Sequence, residues 1–218
     1  MSYGLMIYNN DLEIQMDGTY KNFSLHDSGL WSLSPRWEWH SFSPTINPPM
    51  IVTRPSETYY TAGNFDKNAS YEYVGQYVWA DDYFTLPYIV FTEASVSEIP
   101  SGAYGLAVYN DSGNLVFHSH NKWCRIISIT TFSTPDAVLP EETIDITVED
   151  ADNNYFILRP LCYAQFDTGG FTYIFVLAMK KVDSVTIRVA GYYIDQIPMH
   201  LGTLNMFSDI STLIEVNV

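Results

Sequence analysis

The sequence predicts an all-β protein made of two tandem β-sandwich domains related by internal duplication. Three observations carry the prediction. The segment Tyr3-Gly4-Leu5-Met6-Ile7-Tyr8-Asn9 returns at mid-chain as Tyr104-Gly105-Leu106-Ala107-Val108-Tyr109-Asn110, with five of seven positions identical. Short runs rich in Val, Ile, Thr, Tyr and Phe are punctuated by turn residues about every dozen positions, the spacing of a sandwich. Helical periodicity is sustained nowhere; only residues 198–214 have room for a short helix, and they read equally as loop plus strand.

Each copy of the repeat opens with a Gly, an alternating apolar strand, an Asn/Asp-rich turn and a return strand. The return strands are Glu13-Ile14-Gln15-Met16 and Asn114-Leu115-Val116-Phe117, so both copies begin as hairpins. Beyond Lys21 and Lys122 the match fades. The repeat divides the 218 residues into a first domain, 1–100, and a second, 101–218, joined at Ser101-Gly102 after Pro100.

In the first domain, strands are expected over 21–33, 51–53, 58–61, 71–79, 86–91 and 94–99. Between them the segment of about 31–60 is broken by Pro35, Pro44, Pro48 and Pro49 and rich in aromatic residues. It reads as an insertion without counterpart in the second copy, with one short strand where Trp37 and Trp39 alternate with Glu38 and His40. The second domain is expected to hold strands over 123–131, 143–148, 155–158, 161–166, 172–179 and 184–193. Asp167-Thr168-Gly169-Gly170 supplies a hairpin turn between two of them.

Composition limits function. A formal charge of −15 and a pI near 4.4 oppose a binder of nucleic acid, which gains affinity by releasing counterions from phosphates through a basic stripe. Anionic membrane surfaces are disfavoured for the same reason. No stretch reaches the ~20 apolar residues of a membrane helix and no basic region precedes an apolar core at the N-terminus, so synthesis in a cytoplasm without membrane insertion is expected. Cys124 and Cys162 are too few for a disulfide framework and fit two buried thiols.

Chemistry-bearing motifs are sparse. Residues 149–154, Glu-Asp-Ala-Asp-Asn-Asn, begin like a calcium loop, but Tyr155 stands where the turn Gly belongs and Leu161 where a bidentate Glu belongs. They read as a solvated turn. His118 and His120 share one strand face at a spacing zinc accepts, but nothing selects a third ligand among His26, His40 and His200. Asp17 and Thr19 hold the matching places in the first copy. Asp81-Asp82 and Glu141-Glu142 are adjacent pairs that a strand would point to opposite faces. No nucleophile elbow, phosphate loop or His-Glu-x-x-His occurs. No catalytic residue, cofactor or metal site is therefore assigned. Trp31, Trp37, Trp39, Tyr59 and Tyr60 are the candidate interface or ligand contacts, because Trp and Tyr offer large contact area at small entropic cost.

The run Tyr104-Gly105-Leu106-Ala107-Val108-Tyr109-Asn110-Asp111-Ser112-Gly113-Asn114-Leu115-Val116-Phe117-His118-Ser119 resembles the opening motif of small tail proteins of long-tailed bacteriophages: a Gly-Leu strand, an Asn/Asp-x-Gly turn and an apolar return strand. The first copy resembles it more weakly over residues 3–17, with Leu12 in place of the turn Gly. The resemblance implies a β-rich, non-enzymatic virion component at the tail tip or fibre base, assembled with other tail proteins. It also implies a homo-oligomer, with the trimer as the usual symmetry of fibres. The rival expectation is a carbohydrate- or host-receptor-binding module using the aromatic segment. A glycan-cleaving enzyme whose carboxylates meet only on folding ranks third.

One expectation follows from the histidines alone. Protein purified without a His tag should carry no stoichiometric zinc by elemental analysis. A near-stoichiometric zinc content abolished by His118→Ala would reverse the reading.

Overall fold

The computed structural model describes residues 7–8, 14–16, 23–93, 105–109, 112–113, 115–119, 124–133, 143–159, 162–166, 171–198 and 210–217. Every regular element among them is a strand. The first half contains β1 (Ile7–Tyr8), β2 (Ile14–Met16), β3 (Phe23–Leu33), β4 (Trp37–Thr45), β5 (Met50–Thr53), β6 (Tyr60–Lys67), β7 (Tyr73–Ala80) and β8 (Phe84–Glu93). The second contains β9 (Ala107–Tyr109), β10 (Leu115–His118), β11 (Arg125–Ser133), β12 (Thr143–Thr147), β13 (Tyr155–Arg159), β14 (Cys162–Phe166), β15 (Phe171–Asp183), β16 (Thr186–Pro198) and β17 (Ile210–Asn217).

Two sheets pack face to face. The six-stranded sheet runs β11-β17-β13-β5-β8-β3, and the seven-stranded sheet runs β12-β16-β15-β6-β7-β4 with β14 also paired to β15. Period-two alternation supplies the core between them. Leu33, Leu86, Val90, Phe156, Leu158 and Leu213 point in from the first sheet, and Phe42, Val78, Leu177, Met179, Ile187 and Val189 from the second. Each such side chain, fully buried, stabilises the fold by about 1.5–3 kcal/mol.

The all-β sandwich is as expected, but the division near residue 100 does not separate two cores. Each half supplies three strands to each main sheet path, and the halves meet where Thr53 of β5 pairs with Phe156 of β13 and Tyr60 of β6 with Met179 of β15. The physical reason is that three strands leave an open row of backbone donors and acceptors at their margin, which the other half satisfies.

The halves repeat one another in place. From either end toward the middle, the first sheet reads β3-β8-β5 and β11-β17-β13, and the second β4-β7-β6 and β12-β16-β15. Irregularities recur as well. Ile7 faces Met16 and Tyr8 faces Ile14, so Gln15 bulges; Val108 faces Phe117 and Tyr109 faces Leu115, so Val116 bulges. In β3 the bulge falls at His26, where Leu25 and Asp27 oppose Phe91 and Val90. In β11 it falls at Ile127, where Ile126 and Ser128 oppose Val216 and Glu215. Gly113, at φ +78°, takes the left-handed conformation that the second hairpin turn requires.

This repetition corrects the reading of residues 31–60 as an insertion, since β3, β4 and β5 run through it and β11, β12 and β13 hold the corresponding places. Residues 210–217 are strand rather than helix. The expected strand over 94–99, the Ser101-Gly102 junction and the 167–170 turn lie outside the described residues.

At its first-half end the sandwich is closed by side chains of β3 reaching to β4. Asp27 Oδ2 accepts the Ser43 amide at 2.6 Å, His26 Nε2 lies 3.0 and 3.1 Å from the Ser43 and Pro44 carbonyls, and Trp31 Nε1 donates to Ser41 O at 3.2 Å.

In the second half Glu215 does the corresponding work from the interior of β17. Its carboxylate, in a residue only 1% exposed, accepts bonds from the Glu149 and Asp150 amides (3.1 and 3.0 Å), Asn154 Nδ2 (2.7 Å) and Ser128 Oγ (3.0 Å). Burial pushes this carboxyl up, but those four donors outweigh it and hold it below the ordinary value of 4.5. A lowered folded-state value means that the stabilisation is complete above the unfolded value and is lost as pH falls through the folded one. Glu215→Gln should therefore lower stability by about 1–3 kcal/mol at neutral pH. In urea unfolding, the gap between wild type and variant should narrow toward about pH 3; a gap independent of pH would assign the loss to packing instead.

Candidate binding face

The outer face of the seven-stranded sheet carries a cluster of accessible aromatic residues. In β4, alternation turns Trp37 and Trp39 outward and Phe42 into the core. Register sets Trp37 opposite Trp79, Trp39 opposite Tyr77 and Ser41 opposite Gly75 on β7. Trp37, Trp39 and Tyr77 are 36%, 45% and 46% exposed, so three rings on two paired strands face solvent together.

Gly75 is the reason that Trp39 can lie where it does. A Cβ at position 75 would fall 2.7 Å from Cε2 and Cζ2 of the Trp39 indole and 2.6 Å from the His40 carbonyl oxygen. The six-membered ring thus rests over a backbone position that has no side chain.

Toward the middle of the sheet the aromatic layer is buried at Tyr59 and half-buried at Trp79 and Tyr192. Trp79 and Tyr59 meet Tyr192 at ring-centroid distances of 4.8 and 5.1 Å and pack with Ala178 and Ala190. The Lys180 ammonium sits 4.4 Å over the Tyr59 ring. Burial, followed by the charge of Asp81 and by Tyr59, pushes the Tyr192 phenol well above its ordinary value. Asp81 itself is raised, by burial first and by Asp82 second, against hydrogen bonds and Lys180 that lower it. Farther out, Arg188 holds Asp145 through bonds of 2.6 and 2.8 Å, which keep the Asp145 carboxyl low. The face therefore grades from exposed rings at β4 and β7 to charged groups at β16 and β12, the arrangement of a contact surface with a polar rim.

Of the five residues expected to make contacts, only Trp37 and Trp39 are available. Trp31 is a core residue, stacked on Tyr88 at 4.1 Å and on His40 at 5.5 Å. Tyr60 is fully buried and hydrogen-bonds Thr53 Oγ1 through its hydroxyl at 2.9 Å. Tyr59 is buried beneath Lys180 and Tyr192 and supports the face from below. These three are corrected to structural roles because Trp31 and Tyr60 are turned inward within β3 and β6, and Tyr59, directly before β6, is packed under its neighbours. Sequence reasoning missed Gly75, Tyr77, Trp79 and Tyr192. The alternation Tyr73-Val74-Gly75-Gln76-Tyr77-Val78-Trp79 carried the signal for the first three, but not the register that brings them beside Trp37 and Trp39.

The other candidates resolve into structure. In the 149–154 turn Asp150 Oδ1 accepts the Asp152 and Asn153 amides, and Asp152 pairs with Lys181 at 2.9 Å, so the carboxylates do not converge. Asp81 and Asp82 occupy the β7–β8 turn, with Asp82 Oδ1 accepting the Tyr83 amide. His118 ends β10, while His120, His200, Glu141 and Glu142 lie outside the described residues. Among the described residues no group of three or more His, Cys, Asp or Glu could hold a metal ion. Burial pushes the Cys124 thiol up to about 12, which leaves it protonated and unreactive at neutral pH. A groove of about 530 Å³ on the opposite sheet is lined by Leu25, Ser28, Leu30, Arg54, Tyr155 and Asn217. Arg54 on it is used within the protein, since it bonds the Asn153 carbonyl and Tyr155 hydroxyl, each at 3.2 Å.

No family model, curated protein or solved structure matches the chain.

Gly75→Ala tests the geometry of this face. The new methyl meets a carbonyl oxygen that cannot withdraw without disturbing the β4–β7 ladder, so a loss of about 1–3 kcal/mol in thermal or urea unfolding is expected, with a changed tryptophan emission as Trp39 is displaced. Unaltered stability and emission would show that the indole does not rest on this position.

Proposed function

We propose that the chain is a non-enzymatic structural component of a bacteriophage tail, at the tail tip or fibre base, and that it acts by protein–protein assembly through the Trp37–Trp39–Tyr77 face. The observation that carries the contact role is the exposure of these three rings side by side while Trp31, Tyr59 and Tyr60 of the same segment are buried. Burying such rings against a partner yields large apolar area at low entropic cost. The tail assignment is supported by the hairpin motif that residues 104–119 share with small tail proteins. A net charge of −15 favours solubility of the free subunit, made in the host cytoplasm, before it joins other tail proteins in the virion.

The same proposal holds that the halves descend from one duplicated unit. Two hairpins bulged at Gln15 and Val116, and two edge strands bulged at His26 and Ile127, support it beyond the sequence repeat. Duplication places the assembly contact on a specialised part of one copy, because β4 and β7 carry Trp37, Trp39 and Tyr77 while β12 carries Asp145.

A second reading, recognition of a host glycan or receptor, is favoured by one feature. The Trp39 indole rests on Gly75 yet remains 45% exposed, a disposition suited to stacking against the apolar face of a sugar ring.

The experiment replaces Trp37 and Trp39 together by Ala. The fold should survive, and incorporation into tails should weaken by about 2 kcal/mol or more in a competition assembly assay. Normal incorporation with impaired adsorption to host glycans would favour the second reading. Soluble fragments released from host envelope glycans, and lost on replacing one Asp or Glu, would overturn the non-enzymatic assignment.

A further inference from the structure

Four strands end the two main sheet paths, and three of them are guarded. Asp27, His26 and Trp31 tie β3 to the backbone of β4. On β12, only five residues long, Asp145 is held by Arg188. Short length, charge and side-chain cover are the devices by which sheets prevent pairing at their margins. Among the described residues β11 has only one such guard, the charge of Arg125 at its start. It is nine residues long, and from Ile126 to Ser133 it reads Ile-Ile-Ser-Ile-Thr-Thr-Phe-Ser, with no charge and no proline. Ile126 and Ile129 stand 53% and 60% exposed on it.

We propose that the margin of β11 is a self-association surface, on which a second copy of the chain places its own β11 antiparallel across a two-fold axis. Three observations select this occupant. The strand is self-complementary over residues 126–133: in an isologous pair residue i opposes j and j opposes i, and this uncharged stretch brings no like charges together when it pairs with itself. A head-to-tail arrangement, the route to a ring, would need β11 to reach the opposite end of the sandwich, where β3 is already tied to β4. The chain also joins its own halves by antiparallel strand pairing in both sheets, so a β11 pair continues the six-stranded sheet through two copies by the same means.

The inference stands apart from the tail assignment, being measured on purified protein where that reading is measured in virions. Sedimentation velocity of the full chain over a concentration series should show a monomer–dimer equilibrium. It should tighten with added salt, because two chains of charge −15 repel less when screened. Ile129→Lys, on an exposed side chain, should weaken the dimer by about tenfold or more, and Thr131→Lys serves as the second variant, each confirmed folded by circular dichroism. Leu30→Lys, at a site 68% exposed on β3, is the matched control and should leave the dimer unchanged. Hydrogen exchange of β11 amides should slow on dimerisation. A monomer at every concentration and salt, a dimer weakened equally by Leu30→Lys, or β11 amides whose exchange does not change would each overturn the proposal.

Discussion

The antiparallel joints between β5 and β13 and between β6 and β15 are the constraint on which the rest of the molecule depends. On its own each half has three strands of each main sheet path, with a margin facing what is, in the whole chain, the middle of the sandwich; in the second half β14 covers residues 172–176 of that margin and leaves the part around Met179 to β6. Backbone groups there are far from water and must be paired. The core residues beside the joints, Tyr60, Phe156 and Met179, are buried because both halves contribute walls around them. A small unit that buries too little surface alone is stabilised by this fusion, as expected for domains near the lower size limit.

The aromatic content serves two purposes, set by direction rather than by residue type. Trp31 and Tyr88 stack between the sheets, whereas Trp39 and Tyr77 lie on the outside of the same sandwich. One strand, β4, sends Phe42 inward and Trp37 and Trp39 outward, so core and contact surface are coupled through a single backbone. The missing side chain at Gly75 then allows the outer ring to settle against the sheet.

How far the sequence discloses this follows from the range of each signal. Period-two alternation is local, so the strand carrying Trp37 and Trp39 and the all-β class are legible, as is the β9–β10 hairpin with Gly113 in its turn. Register is non-local. Nothing in the spacing of Thr53 and Phe156 announces that they pair across the chain, and without that pairing a repeat is naturally read as two separate domains. Prolines mislead as well: Pro44 lies inside β4 because the strand ends a sheet and the missing amide is not needed by an inner neighbour. Tyr59 and Tyr60 look alike in sequence, yet adjacency in an extended chain sends one to each face, Tyr60 toward Thr53 and Tyr59 beneath Lys180. The role of Glu215, an acid amid apolar strand residues, depends on distant partners, the 149–154 turn and Ser128 of β11.

Strand order also has a consequence for when the six-stranded sheet can close. The last strand, β17, does not lie at a border but is flanked by β11 and β13, and it brings Leu213, Glu215 and Val216 into the interior. Until its residues leave the ribosome, β11 has no neighbour in its sheet, and the 149–154 turn lacks the carboxylate that gathers its amides. Removing β17 would therefore take out a middle plank of the sheet rather than an overhang, leaving β11 and β13 with a gap between them.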